Sequence, residues 1–63
     1  MKRIPLELPA DEAIALAQLT KRFTYDGAVR FANPHDGGRE RNAILEGILS
    51  LQRALAESGY APR

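Results

Sequence analysis

Hydrophobic positions follow two different periods along this chain, and the change between them divides the sequence. Residues 3–8 alternate, with Ile4, Leu6 and Leu8 on one side and Arg3, Pro5 and Glu7 on the other, the period-two pattern of a half-buried strand. Pro5 has no N–H to give to a ladder, so a strand here belongs at a sheet edge. One strand cannot satisfy its own backbone. It either pairs with its copy in a second subunit or lies extended against helices.

From residue 9 the period lengthens. Pro9-Ala10-Asp11-Glu12 reads as the opening of a helix, because proline is tolerated in a first turn and acidic side chains there complement the positive end of the helix dipole. Ala13, Leu16, Ala17, Thr20 and Phe23 follow at spacings of three and four, with Ile14 and Leu19 widening the stripe against Gln18, Lys21 and Arg22. The pattern breaks at Thr24-Tyr25-Asp26-Gly27, where two good capping residues precede a glycine that costs about 1 kcal/mol inside a helix. A kink or a restart is expected there. Residues 28–32 then form a short helical turn, ended by Asn33-Pro34, since the residue before proline is pushed out of the helical region. Pro34-His35-Asp36-Gly37-Gly38 is a loop built of turn formers.

Residues 39–58 carry the strongest helical signal. Ile44, Ile48, Leu51 and Leu55 form a narrow seam, and Leu45 and Leu49 add a second ridge beside it. Two ridges exceed what one short partner helix covers, and that surplus points to a homodimer. Gly59 stands where a left-handed cap is required, Tyr60 can fold back on the last turn, and Pro62 blocks continuation. The predicted fold is mainly α: a short N-terminal β-strand followed by an antiparallel helical hairpin (β-α-α), one domain over residues 1–63. Its predicted dimer interface is Ile4, Leu6, Ile44, Ile48, Leu51 and Leu55.

Composition strengthens the expectation of self-association. A chain of 63 residues buries only about 60% of the surface its unfolded form exposes. Small scaffolds supplement so thin a core with disulfides, metals or oligomerisation, and this chain has no cysteine and a single histidine, His35. Nine basic against eight acidic residues leave a formal net charge of +1, far from the balance of a chain built mainly to neutralise phosphates. No apolar run approaches the roughly 18 residues of a membrane span, and Met1-Lys2-Arg3 leads into no apolar signal core. A cytoplasmic location is expected.

Little in the chain points to chemistry. His35 beside Asp36 lacks a second ligand cluster and reads as a solvated turn residue. Asp36-Gly37-Gly38-Arg39 could offer backbone N–H groups to an anion at the entry of the last helix, but it matches neither the phosphate-loop nor the dinucleotide fingerprint and reads as a plain helix entry. The carboxylates are scattered rather than paired, and Ser50 and Ser58 have no nucleophile motif around them. No catalytic residue, metal site, cofactor or small-molecule substrate is expected. Seven of the nine basic residues are arginine, the side chain suited to planar bidentate contacts. Arg22, Arg30, Arg39 and Arg41 flank the two helix breaks and are the candidate partner-binding residues. Phe23, Tyr25 and Phe31 read as core and hinge packing.

Two resemblances arise from these residues. The run from Ile4 to Ala13, a strand then a helix, with a last helix entered through Gly38-Arg39-Glu40-Arg41-Asn42, resembles the ribbon-helix-helix repressors. That resemblance implies a homodimer whose paired strands enter the DNA major groove. The chain departs from that pattern in its outward strand residues Arg3, Pro5 and Glu7, and in the residues 24–38 that stand where the family has a short turn. More of the chain is similar to a group of short uncharacterised helical proteins of proteobacteria and their phages and mobile elements. The similarity runs through Leu6-Glu7-Leu8, the stretch from Ala15 to Arg22, Thr24-Tyr25 with Arg30, and the ending from Ala54 to Arg63. It implies a compact helical accessory protein acting by occupying a host protein. The expected function is therefore that of a non-enzymatic, homodimeric protein-binding accessory or inhibitor protein, with a dimeric DNA-binding repressor as the alternative.

Overall fold

The computed structural model describes residues 2–60 of the chain. Three helices follow one another: α1 (Ala10–Arg22), α2 (Tyr25–Phe31) and α3 (Arg39–Glu57). Each boundary has a local cause. Pro9 is the residue before α1, with φ −57° and ψ 154°, and its carbonyl accepts the first helical bond, from the Ala13 N–H at 3.0 Å. Asp11 and Glu12 occupy the first turn of α1 and Lys21 and Arg22 the last, the order the helix dipole favours.

The break between α1 and α2 falls at Phe23 and Thr24, both extended, slightly earlier than the glycine-centred interruption expected from the sequence. Thr24 caps α2, its hydroxyl accepting from the Gly27 N–H at 3.4 Å, and Gly27 lies inside the helix. The Phe23 ring lies over Gly27, 3.5 Å from where a Cβ would stand. Of the kink or restart expected from the sequence, the helix restarts, and the hairpin becomes a three-helix arrangement. Ala32 is extended, and Asn33 then turns the chain, its side-chain carbonyl accepting from the His35 N–H at 2.9 Å.

Asp36 makes the entry to α3. Its carboxylate accepts from the N–H groups of Gly38 at 3.0 Å, Arg39 at 3.1 Å and Glu40 at 2.9 Å, satisfying donors that have no partner within the helix. Gly38 supports this geometry with φ +87°, a conformation that side chains with a Cβ disfavour. At the other end Gly59 (φ +92°) closes a Schellman motif: the Tyr60 N–H donates to the Leu55 carbonyl at 2.8 Å and the Gly59 N–H to that of Ala56 at 3.0 Å. Tyr60 folds back onto the core, as its position after the glycine predicted. The stop assigned to Pro62 lies outside the described residues.

Packing is dominated by small side chains. Ala13, Ala17 and Leu55 form the buried core, with Leu8, Leu16, Leu51 and Tyr60 packed against it, and Ala28 is fully buried on α2. Thr20 shares the buried stripe because its hydroxyl donates to the Ala17 carbonyl at 2.7 Å, so the burial leaves no polar group unsatisfied. Helix α3 packs against both α1 and α2. Its least exposed positions, including Arg41, Ile44, Leu45, Ile48, Leu51 and Leu55, form the face turned toward the other two helices.

One expectation is corrected here. Residues 2–9 form no strand; the alternation of Ile4, Leu6 and Leu8 is instead that of an extended arm whose apolar side faces the α1–α3 end of the molecule, where all three border a cleft. The seam of α3 serves the protomer itself: Leu55 is buried with Ala13 and Ala17, and Leu51 packs on the same core, while both also border that cleft.

The molecule is thin. Its principal extents are 37 × 26 × 15 Å. The radius of gyration is 12.7 Å, against about 11 Å for a compact chain of this length.

Candidate protein-binding surface

The four arginines singled out in the sequence sit at the ends of the helices. Arg22 is the last residue of α1, Arg30 the penultimate residue of α2, and Arg39 the first of α3, and all three are exposed. Arg41, one turn into α3, is half-buried. Its guanidinium stacks over the Tyr25 ring, 5.3 Å from the centroid, and its Nε donates to the Asn42 side-chain carbonyl at 3.2 Å. The cation–π contact joins the first turn of α2 to the first turn of α3. Arg22 precedes Tyr25 by three residues, so Arg22, Arg39 and Arg41 belong to one end of the molecule. Arg30 lies about 8 Å farther along α2, at 1.5 Å per residue.

Helix α2 contributes the apolar part of this surface. Tyr25 and Val29, one turn apart, are exposed, and Phe31 at the helix end is 70% exposed. This corrects the reading of Tyr25 and Phe31 as core and hinge packing; of the three aromatics in this stretch, only Phe23 is turned inward. A helix of seven residues offers one small inward face, and Ala28 fills it. The signal for this outcome was the alanine itself: a methyl at the contact lets α2 approach α3 closely and leaves the large side chains outside.

The loop between α2 and α3 is closed to ligands of its own. His35 is exposed, and the backbone N–H groups that an anion would need are taken by the Asp36 carboxylate. Among the described residues no group of three or more His, Cys, Asp or Glu side chains gathers to hold a metal ion.

At the far end of the molecule, Ile4, Leu6, Leu51, Leu55 and Tyr60 line a cleft of about 230 Å³. Ile4 is 82% and Leu6 66% exposed at its rim, whereas Ile44 and Ile48 are half-buried along α3. The residues assigned to a dimer interface are therefore divided between an exposed arm and an inward helix face.

Over residues 1–63 the chain matches a family of unknown function, DUF7706. The chain belongs to that family. No curated protein and no solved structure matches it. Membership agrees with the resemblance to small uncharacterised proteins. Among those residues no helix is long and apolar enough to cross a membrane.

Proposed function

We propose that this member of the family is a non-enzymatic binding protein, a small helical homodimer that occupies a protein partner as an inhibitor or adaptor. The observation that carries the reading is the exposure of Tyr25, Val29 and Phe31 on one short helix flanked by Arg22, Arg30, Arg39 and Arg41. Aromatic and arginine side chains are the types enriched at protein interfaces and at their energetic centres. A fixed aromatic loses little entropy on docking, and a guanidinium anchors carboxylates in two-point geometry. The partner surface that matches is an apolar groove with acidic rims, into which α2 would lay its exposed side. A host protein of a phage or mobile element is the setting that the sequence resemblance implies.

The test is affinity capture with wild-type protein and with an Arg30→Glu/Phe31→Ala variant, followed by titration of the purified captured protein. Both altered residues are exposed, so the helical circular dichroism of the variant should equal that of the wild type. The expected result is a stoichiometric partner whose affinity falls by roughly a hundredfold or more in the variant. Retention of a specific duplex DNA with a steep salt dependence, and of no protein, would overturn the proposal in favour of a repressor.

A further inference from the structure

The arm and the core it overhangs form a second surface, chemically unlike that of α2. Ile4 and Leu6 stand at the rim of the cleft, and Leu51, Leu55, Ala13 and Tyr60 line it; none of its lining residues is charged. Its volume, about 230 Å³, is below the range of roughly 300–1,000 Å³ typical of small-molecule pockets, and it suits one or two inserted aliphatic side chains. It opens onto the core itself, since Leu55 and Ala13 are core residues.

The chain exposes 5398 Å², whereas a compact monomer of 6.9 kDa exposes about 4,000 Å². The excess of about 1,400 Å² is spread over the whole chain, Ile4 and Leu6 being the arm's share of the exposed large side chains, and it leaves room for the roughly 800 Å² that each partner buries in a standard stable interface. A second copy can lie on the cleft without repulsion, because its lining is uncharged and the net charge is only +1. The polar side of the arm is self-complementary as well: Arg3 and Glu7 stand two residues either side of Pro5, so two antiparallel arms bring opposite charges together. The α2 surface differs in carrying exposed charges, Asp26 and Arg30, beside its apolar side chains.

We infer that a second copy of the chain covers the cleft, in a twofold interface centred on Ile4, Leu6, Leu51 and Tyr60, and that α2 remains outward for the partner. This rests on the homodimeric reading above and names its surface. The side chains of Ile4 and Leu6 of one protomer enter the cleft of the other, burying apolar groups that the single chain leaves in water.

Sedimentation velocity from micromolar to millimolar concentration tests this with wild type, Ile4→Glu, Leu6→Glu and Phe31→Glu, each checked for helix content by circular dichroism. The expected result is a wild-type dimer that either arm variant weakens by about a hundredfold or more and that Phe31→Glu leaves intact. A wild type that stays monomeric throughout would overturn both the interface and the homodimer. A dimer indifferent to the arm variants, or broken by Phe31→Glu, would overturn the interface alone. Should an arm variant fail to fold, isotope-filtered NMR on mixed labelled and unlabelled wild type decides: contacts between copies from Ile4 or Leu6 methyls to Leu51 or Tyr60 support the interface, and their absence in a dimer refutes it.

Discussion

Replacing Asp36 with alanine removes the cap on which the longest helix begins. The Asp36 carboxylate accepts from three successive backbone donors, Gly38, Arg39 and Glu40, at 2.9–3.1 Å. Losing a capping side chain costs about 0.5–2 kcal/mol, and losing a negative charge beside a helix N-terminus costs about 0.3–1 kcal/mol more. Because one carboxylate serves three donors, the upper part of that range applies, about 2 kcal/mol. A domain of this size holds only about 3–9 kcal/mol in total, and each kcal/mol moves its melting temperature by about 4–8 °C. Asp36→Ala should therefore melt roughly 10–15 °C below wild type, whereas Asp36→Asn, which keeps a capping oxygen, should lose much less. The assay is thermal unfolding by circular dichroism at one matched protein concentration, since a dimer's melting point depends on concentration. A drop of less than about 3 °C for the alanine variant would show that water replaces the carboxylate without loss and would refute the assignment of helix entry to Asp36.

Three further outcomes follow from the packing. Leu55→Ala, which opens a cavity in the buried cluster between α1 and α3, should cost about 2–5 kcal/mol, a large share of the domain's stability, and lower the midpoint of a denaturant titration accordingly. Gly47 lies inside α3 with nothing within 4 Å of the place its Cβ would take, so Gly47→Ala should raise stability by about 1 kcal/mol; an unchanged or lower urea midpoint would contradict this. Gly59→Ala forces a side chain into the left-handed region at φ +92° and should lower stability by about 1 kcal/mol. Gly47 and Gly59 are more than three helical turns apart, so the double variant should lie close to wild type, as the same titration can check.

Much of the secondary structure was legible in the sequence because its causes are local. Pro9 before the acidic first turn, Thr24 ahead of Tyr25, Asn33-Pro34 after Phe31, and Gly59 after Ser58 each act within a few residues of themselves, and each marks an observed boundary. The apolar face of α3 was legible too, since Ile44, Ile48, Leu51 and Leu55 fall on one side by spacing alone. Periodicity names the direction of a face but not what stands opposite it. The spacing could not show that both α1 and α2 of the same chain lie against α3.

The arm shows the same division. Alternation placed Ile4, Leu6 and Leu8 on one side, but a strand also needs a partner whose N–H and C=O groups answer its own, and among the described residues no strand lies beside it. The candidate site depended most on the tertiary structure. The arginines could be named from their type and from the helix breaks they flank, but the exposure of Tyr25 and Phe31 could not. It follows from the close approach that Ala28 allows between α2 and α3, a contact between residues distant in sequence. Local propensity fixed where the helices begin and end; the packing of alanines on α1 and α2 against the larger side chains of α3 decided which large side chains were left for a partner.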